Sequence, residues 1–256
     1  MQRELLILDG SVLVLRPYFA GVTVPWAAAR SSVRKLLGST SHLAIVIDRT
    51  MDTFRRELEP TYKAHRPPAS DELIAHFQRF EEEVQALGVH LLGSTRYEAD
   101  DLAATLVRHA IAAELPVRIQ SNDKDLLQLV RETPKVVTED VTKNLCYDRA
   151  GVRERLGVWP EQVVDYLALV GDSSDGVRGV DGIGPKTAAA LIDHFGSLDA
   201  LYLRLPEVAG LPIRGAKGLG GKLEAGREVA QRARRLITLV DDVPLGEDPI
   251  GRCTRP

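Results

Sequence analysis

The chain has 256 residues, of which 44% are hydrophobic and 27% are charged, enough for a large core and a solvated surface. Aromatic residues make up only 5%, which excludes base stacking as a main mode of nucleic-acid binding. The net charge of −3 also argues against a nucleic-acid partner, unless many acids are gathered in one metal site. No apolar run reaches the length of a membrane span, the first residues lead directly into a strand, and neither cysteine belongs to a CxxC pattern. We therefore expect a reduced, cytoplasmic protein.

Residues 1 to about 158 alternate short apolar runs with amphipathic stretches, a pattern typical of an α/β domain. We predict strands at about 4–9, 43–48, 89–92, 116–120 and 135–138. Helices are predicted at about 25–38, 71–87, 98–113 and 149–156. Residues 53–68 lack an apolar period and predict a basic surface segment. Its basic side chains are either solvated or able to hold phosphates, and they are Arg55, Arg56, Lys63 and Arg66.

Acidic residues follow three of the predicted strands and open the helix predicted at about 98–113. Taken alone, each is an ordinary turn former or helix cap. Because ligands of parallel α/β sheets bind outside the carboxyl ends of the strands, we expect the acids to converge on one crevice. Oxygen ligands without a His or Cys cluster suit Mg²⁺ or Mn²⁺ and argue against zinc. The acids are Asp9, Asp48, Glu98, Asp100, Asp101, Asp123 and Asp125.

After Trp159-Pro160 the composition becomes helical, and the turn at residues 182–187 is the most informative segment. Gly182 and Gly184 leave room for a close backbone approach, Pro185 suits the first turn of a helix, and Lys186 adds charge. Two helices joined in this way point amide N–H groups at an anion, although a tight connector is the alternative. We predict a flexible loop at 215–221 and a last, basic helix at about 222–239.

Five segments, taken in order, resemble the bacterial 5′–3′ exonuclease and flap endonuclease family, which includes the N-terminal nuclease domain of bacterial DNA polymerase I and stand-alone relatives of the exonuclease nine type. The segments are LLILDGSVLVLRPYFA, TFRRELEPTYKAHRPP, YEADDLAATL, SNDKDLLQLV and VVDYLALVGDSSDGVRGVDGIGPKTAAAL. The resemblance implies a PIN-like α/β nuclease domain with a mostly parallel sheet over residues 1–158, including a helical arch at about 53–85. It also implies a helix–hairpin–helix DNA-binding domain over residues 159–256.

The resemblance also implies the site residues. Two divalent ions, Mg²⁺ or Mn²⁺, would be held by Asp9, Asp48, Glu98 and Asp100, and by Asp101, Asp123, Asp125, Asp172 and Asp175. Lys63 and Arg66 would act on the scissile phosphate. DNA contacts would come from Arg16, Tyr18, Tyr62, Gly182, Ile183, Gly184, Pro185, Lys186 and Thr187. A K⁺ ion would be bound by the backbone carbonyls of Leu169, Val170, Arg178, Val180 and Ile183.

The implied activity is that of a structure-specific 5′ nuclease, a 5′–3′ exonuclease or flap endonuclease that uses two metal ions in DNA replication or repair. Its partner would be DNA with 5′ flaps, nicks or 5′ ends, including RNA–DNA, bound by a monomer at the nucleoid. One alternative is a catalytically weak protein of the same fold that binds branched DNA, which the complete acid set disfavours. The other is a phosphohydrolase for small molecules, for which a second Asp two positions after Asp9 is absent.

The chain departs from the family pattern in two places. Gly176-Val177-Arg178-Gly179 stands where the family often has Asn-Ile-Pro-Gly, and the lost proline loosens the expected entry to the hairpin. Arg96 replaces the glycine before Tyr97-Glu98, which adds charge beside the expected site.

Overall fold

A computed structural model of the protein describes residues 2–254, except for the side chain of Gln2. The first part of the chain alternates strands and helices, as the apolar periodicity predicts. Its elements are β1 (Gln2–Asp9), α1 (Gly10–Phe19), α2 (Pro25–Leu37), β2 (Thr40–Asp48), α3 (Phe54–Leu58), α4 (Asp71–Ala86), β3 (His90–Ser94), α5 (Ala99–Ala112), β4 (Val117–Gln120), a 3₁₀ helix (Asp125–Leu129), β5 (Val136–Asp140), β6 (Leu145–Tyr147) and α6 (Arg149–Leu156).

The strands form one sheet in the order β3-β2-β1-β4-β5-β6, parallel except for β6, which pairs antiparallel with β5. The central strand β1 reads as an unbroken apolar run because both faces of the sheet are covered. Leu5 and Ile7 pack against α5 on one face, and Leu6 and Leu8 pack against α1, α2 and α4 on the other. The α/β fold with a mostly parallel sheet is confirmed.

All five strands and all four helices predicted before residue 158 are present, with bounds that differ by at most three residues. Helix α1 was not predicted, because Asp9-Gly10 reads as a turn. In the structure Asp9 caps α1, and its Oδ1 accepts a hydrogen bond of 3.1 Å from the Val12 N–H. A Cβ at Gly10 would lie 2.4 Å from Cγ2 of Ile47, so only glycine lets α1 begin this close to β2.

Beyond residue 158 the chain is helical, with one two-stranded ribbon. Its elements are a 3₁₀ helix (Pro160–Gln162), α7 (Val163–Val170), β7 (Gly171–Asp172), β8 (Val177–Arg178), α8 (Pro185–Phe195), α9 (Leu198–Leu203), a 3₁₀ helix (Leu205–Gly210), α10 (Ala216–Ala225), α11 (Arg227–Ile237) and a 3₁₀ helix (Gly251–Cys253). The ribbon begins at Gly171, which has a φ of +81° and whose Cβ would lie 2.4 Å from the backbone N of Gly179. A side chain at this position would therefore separate β7 from β8.

The flexible loop predicted at 215–221 is wrong. Helix α10 covers that stretch and buries Leu219 and Leu223 in the core of the helical part. This packing outweighs the cost of about 1 kcal/mol that each helical glycine adds. The last helix is also shorter than predicted, because α10 extends to Ala225 and Gly226 separates it from α11, which begins at Arg227. A Cβ at Gly226 would lie 2.6 Å from Cγ1 of Val180.

The segment after Ile237 returns to the sheet. Val243 and Cys253 pack in the same apolar cluster as Leu5 on β1. Thr254 forms a backbone bridge with His42 on β2. The α-helices of the helical part therefore end at Ile237, and the described residues after it pack against the sheet through side chains such as Val243 and Cys253. Within residues 2–254, no helix combines the length and apolar character needed to cross a membrane.

Candidate active site

The acids at the strand ends lie together at the carboxyl edge of the sheet. Asp9 ends β1, and its Oδ2 accepts a hydrogen bond of 2.8 Å from the Ser121 hydroxyl, which follows β4. Asp48 ends β2, and its Oδ1 accepts 2.8 Å from the Ala99 N–H at the start of α5. These bonds join β1 to the end of β4 and β2 to α5, so the acids share one crevice.

Electrostatics show how crowded this crevice is. Desolvation raises the pKa of Asp9 to about 6, and the charges of Asp48 and Asp123 add to the effect. Desolvation, followed by repulsion from Asp123 and Asp9, raises the pKa of Asp100 well above its usual value. The pKa values of Asp48 and Asp123 are also raised, mainly by desolvation. Carboxylates held together in this way favour a bound cation.

A second group of acids contains residues from both the sheet domain and the helical part. One carboxylate oxygen from each of Asp125, Asp172 and Asp175 lies within 4.8 Å of the other two. Oδ1 of Asp125 is buried and has no hydrogen-bond partner among the described residues. Burial and the charges of Asp123 and Asp172 raise the pKa of Asp125 well above its usual value. An unpartnered oxygen among other carboxylates fits a hard divalent cation.

Asp172 is held by neighbours on both parts of the chain. Its Oδ1 accepts hydrogen bonds from the Ser174 N–H at 2.9 Å and the Ser174 hydroxyl at 2.6 Å. Its Oδ2 lies 2.6 Å from Nζ of Lys124, which follows β4. Burial raises the pKa of Asp172, but the bond and charge of Lys124 and the hydrogen bonds from Ser174 together outweigh burial, and the net pKa is lowered. No sequence pattern assigned a role to Lys124. Its position between Asp123 and Asp125 could have indicated that it neutralises a neighbouring acid.

Lys63 and Arg66, the predicted catalytic cations, lie on the carboxylates. Nζ of Lys63 donates a hydrogen bond of 2.9 Å to Oε2 of Glu98 and lies 3.6 Å from Oδ2 of Asp175. Nη2 of Arg66 lies 2.6 Å from Oδ1 of Asp175. Burial lowers the pKa of Lys63, but Glu98 and Asp175 outweigh it and the net pKa is raised. The ammonium therefore stays charged at neutral pH.

Glu98 accepts several hydrogen bonds within the crevice. Besides Lys63, it accepts hydrogen bonds from the Thr53 hydroxyl at 3.1 Å and the Tyr62 hydroxyl at 3.0 Å. Burial raises its pKa, but the charges of Lys63 and Arg55 outweigh burial and hold the pKa below its usual value. Glu98 is therefore ionised when the site is free of metal.

Asp101 requires a correction, because the resemblance placed it on the second metal. Its side chain is fully buried, and its two oxygens accept hydrogen bonds of 2.7 and 2.8 Å from the guanidinium of Arg55. The backbone N–H groups of Glu98 and Val240 also donate to it, at 3.0 and 2.9 Å. Since these donors occupy both oxygens, we assign Asp101 to the support of the site and not to a metal.

Most of the basic segment at 53–68 is exposed, as predicted, but Arg55 and Tyr62 are buried and their predicted contacts require a correction. Arg55 is 2% exposed and donates from Nε to the Leu236 carbonyl at 2.7 Å, so it cannot bind phosphate. Tyr62 is 3% exposed and its hydroxyl lies 3.0 Å from oxygens of both Glu98 and Asp175, which makes a DNA contact unavailable. No local pattern could show this, because the partners lie far along the chain.

The remaining predicted DNA contacts lie on α1 and the hairpin. Arg16 is exposed, and Tyr18 is half-buried with its ring against His76. In the hairpin, Gly182 has a φ of +76° and Gly184 caps α8, whose first residues are Pro185, Lys186 and Thr187. Lys186 is exposed, whereas the Ile183 side chain is buried, so that only the backbone of Ile183 can reach a ligand.

The carbonyls predicted to bind K⁺ lie around the same ribbon. The Val180 N–H donates to the Leu169 carbonyl at 2.8 Å, and the Ile183 N–H donates to the Val180 carbonyl at 3.0 Å. Arg178 pairs with Gly171 across the ribbon, directly after Val170. Each carbonyl has two lone pairs, so these bonds leave room for a cation.

Comparison with known proteins identifies the family. Residues 4–157 match the model of the 5′-3′ exonuclease N-terminal resolvase-like domain, and residues 158–251 match that of the 5′-3′ exonuclease C-terminal SAM fold. The chain belongs to the 5′–3′ exonuclease family. The family models together cover the strand-end acids, Lys63 and Arg66, and the hairpin.

Family members of different lengths are similar to the chain. DNA polymerase I of Pseudomonas aeruginosa is 40% identical over 95% of the chain, but the chain spans only 28% of that protein. Flap endonuclease Xni of Serratia proteamaculans is 34% identical, and the match covers 96% of both chains. A structure of the bacteriophage T5 flap endonuclease, described as a pseudo-enzyme–product complex with DNA and metal ions, matches with a TM-score of 0.76 at 25% identity and covers 98% of this chain and 97% of that one.

Proposed function

We propose that the protein is a structure-specific 5′ nuclease, which hydrolyses DNA phosphodiesters near junctions between single and double strands with the help of two divalent ions. The observation that carries the proposal is the acidic crevice. Among the described residues, eight carboxylates meet there and four basic side chains, Lys63, Arg66, Lys124 and the buried Arg55, form ion pairs with them. The acids are Asp9, Asp48, Glu98, Asp100, Asp123, Asp125, Asp172 and Asp175.

The donor set fits Mg²⁺ or Mn²⁺, because every side chain offers oxygen and Asp125 keeps an unpartnered buried oxygen. Asp9, Asp48, Glu98 and Asp100 would hold one ion, and Asp123, Asp125, Asp172 and Asp175 the other. When bound, two such ions lower the pKa of a water and stabilise negative charge on the leaving oxygen. The T5 flap endonuclease, whose structure contains DNA and metal ions, supports this proposal.

Lys63 and Arg66 would contribute to catalysis directly. Both cations lie on acids that the metal ions would neutralise, so they become free to bind the oxygens of a phosphodiester. The backbone of Lys63 is fixed by its N–H, which donates to the Asp175 carbonyl at 2.8 Å. A fixed cation beside a phosphate stabilises the charge that builds up in the transition state without a cost of reorganisation.

The hairpin would bind the duplex part of the substrate. The backbone N–H groups of Lys186 and Thr187, in the first turn of α8, receive no side-chain cap and can meet a phosphate, and the exposed Lys186 side chain adds a positive charge. Phosphate contacts carry no sequence information, so the substrate would be recognised by its 5′ flap, nick or 5′ end. A K⁺ ion held by the ribbon carbonyls would strengthen this contact, and duplex affinity should then be higher in KCl than in NaCl of equal concentration.

The experiment that tests the proposal is cleavage of a 5′-labelled flap, a nicked duplex and a single strand, each with Mg²⁺, Mn²⁺ or EDTA. We expect metal-dependent cleavage of the flap or nick and none in EDTA. Asp125→Asn should abolish it, whereas the matched control Asp148→Asn, which alters only the cap of α6, should not. Branched-DNA binding without any cleavage would instead support the alternative of a binding protein.

A further inference from the structure

Lys124 lies between Asp123 and Asp125 in the chain, and neither the family comparison nor the sequence motifs assign it a role. Its Nζ lies 2.6 Å from Oδ2 of Asp172, which is 5% exposed. The other oxygen of Asp172 already accepts two hydrogen bonds from Ser174. Asp172 therefore has both oxygens engaged, although it belongs to the cluster that could hold a metal ion.

An ammonium and a divalent ion cannot share this carboxylate without repulsion. Two charges of the same sign about 4 Å apart repel each other strongly even at an effective dielectric of about 20. Oδ1 of Asp125 has no partner among the described residues, so it is ready to receive a cation, whereas Asp172 is not. For the cluster to bind an ion through all three acids, Lys124 has to leave Asp172.

The environment of Lys124 allows such a movement. Its side chain is 30% exposed, and its bond to Asp172 is the single ion pair that it forms among the described residues. Lys63 differs, because its ammonium lies on two acids and its side chain is only 13% exposed. A flexible four-carbon stem at a partly exposed position can turn to solvent at little cost.

We propose that Lys124 is an internal counter-cation, which neutralises the cluster of Asp125, Asp172 and Asp175 in the absence of metal and competes with a divalent ion for Asp172. This inference rests on the proposed metal-dependent function. In the absence of metal, the Lys124 ammonium holds Asp172 next to Asp125. Asp172 belongs to the helical part, and Asp125 follows β4. The apparent metal affinity is then lower than the acids alone would give.

The experiment is a calorimetric titration of Mn²⁺ into the full chain, combined with thermal unfolding in EDTA and in Mn²⁺. Lys124→Met removes the charge and keeps the stem, and Lys124→Arg keeps the charge. The matched control is Lys143→Met, because Lys143 forms a similar pair with Asp140, 3.0 Å away, outside the acidic crevice. We expect Lys124→Met to bind Mn²⁺ about tenfold more tightly than the wild type. In the wild type, Mn²⁺ binding has to break the charged hydrogen bond between Lys124 and Asp172, and about tenfold corresponds to the free energy of one such bond.

Lys124→Met should also unfold at a lower temperature than the wild type in EDTA and gain more from added Mn²⁺. Lys124→Arg and Lys143→Met should bind Mn²⁺ with wild-type affinity. Unchanged or weaker binding by Lys124→Met would overturn the inference, since the residue would then be merely structural or would position Asp172 for the metal. A wild-type chain that binds no Mn²⁺ would overturn the proposed metal site as well.

Discussion

Asp100 and Asp101 are neighbours in the first turn of α5, and the structure gives them opposite effects on stability. Asp101 is fully buried against Arg55, which is itself 2% exposed. Replacing Asp101 with Asn leaves the buried guanidinium without its hydrogen-bonded counter-charge, and only the more distant carboxylate of Glu98, 3.7 Å away, remains. Breaking a buried pair in this way costs about 3–5 kcal/mol. At about 2–4 °C per kcal/mol for a chain of this size, the melting temperature should fall by roughly 6–20 °C.

Asp100→Asn is the matched control, because it makes the same chemical change one residue away. Desolvation and neighbouring carboxylates raise the pKa of Asp100, so its ionised form destabilises the metal-free fold near neutral pH. The amide removes this repulsion. We therefore expect Asp100→Asn to be more stable than the wild type in EDTA while cleavage is lost.

The assay is urea and thermal unfolding of both variants in EDTA at pH 7, followed by cleavage of a labelled flap with Mg²⁺. A third variant that combines Asp101→Asn with Arg55→Leu should recover part of the lost stability, since the uncompensated charge is gone. An Asp101→Asn protein as stable as the wild type, or an Asp100→Asn protein less stable than it, would refute the reasoning.

Three further outcomes are expected. Lys63→Met should reduce single-turnover cleavage by about 10²–10³-fold, the usual effect of losing one fixed group that stabilises transition-state charge. Hydrogen bonds from Thr142 and Lys143 outweigh the desolvation of Asp140 and lower its pKa from 3.8 to about 2, so Asp140→Asn should cost roughly 2 kcal/mol at pH 7. This loss of unfolding free energy is fully present above pH 3.8 and disappears as the pH falls toward 2. Urea denaturation at about pH 3 should therefore show a stability difference between wild type and Asp140→Asn that is roughly half of the difference at pH 7. Burial raises the pKa of the Cys253 thiol to about 12, so a thiol reagent should label exposed Cys146 alone in the native protein and both cysteines in urea.

Each of these expectations has a result that contradicts it. Lys63→Met with wild-type cleavage would remove Lys63 from the catalytic groups. A cost of Asp140→Asn that is the same at pH 3 and pH 7 would show that the lowered pKa does not stabilise the fold. Rapid labelling of both cysteines in the native protein would mean that the segment around Cys253 detaches from β1.

The amino-acid sequence by itself determined five of the six strands of the sheet, most helices and the acids that follow the strands. Apolar alternation and helical spacing are local properties, so β1 and α5 could be located without any knowledge of their neighbours. Convergence of Asp9, Asp48 and Asp123 followed from one rule of geometry, since parallel strands end at the same edge of the sheet. The motifs were specific enough for the family resemblance, which the family models bear out.

Only the tertiary structure decided which acids face the crevice and which charges are buried. Arg55 reads as a phosphate ligand, yet its partners Asp101 and Leu236 lie 46 and 181 positions further along the chain. Lys124 likewise meets Asp172 across two parts of the fold. Helix α10 forms through a glycine-rich stretch because Leu219 and Leu223 find a core that no local pattern reveals. Charge pairing and burial depend on residues distant in sequence, and the chain brings these together only when it folds.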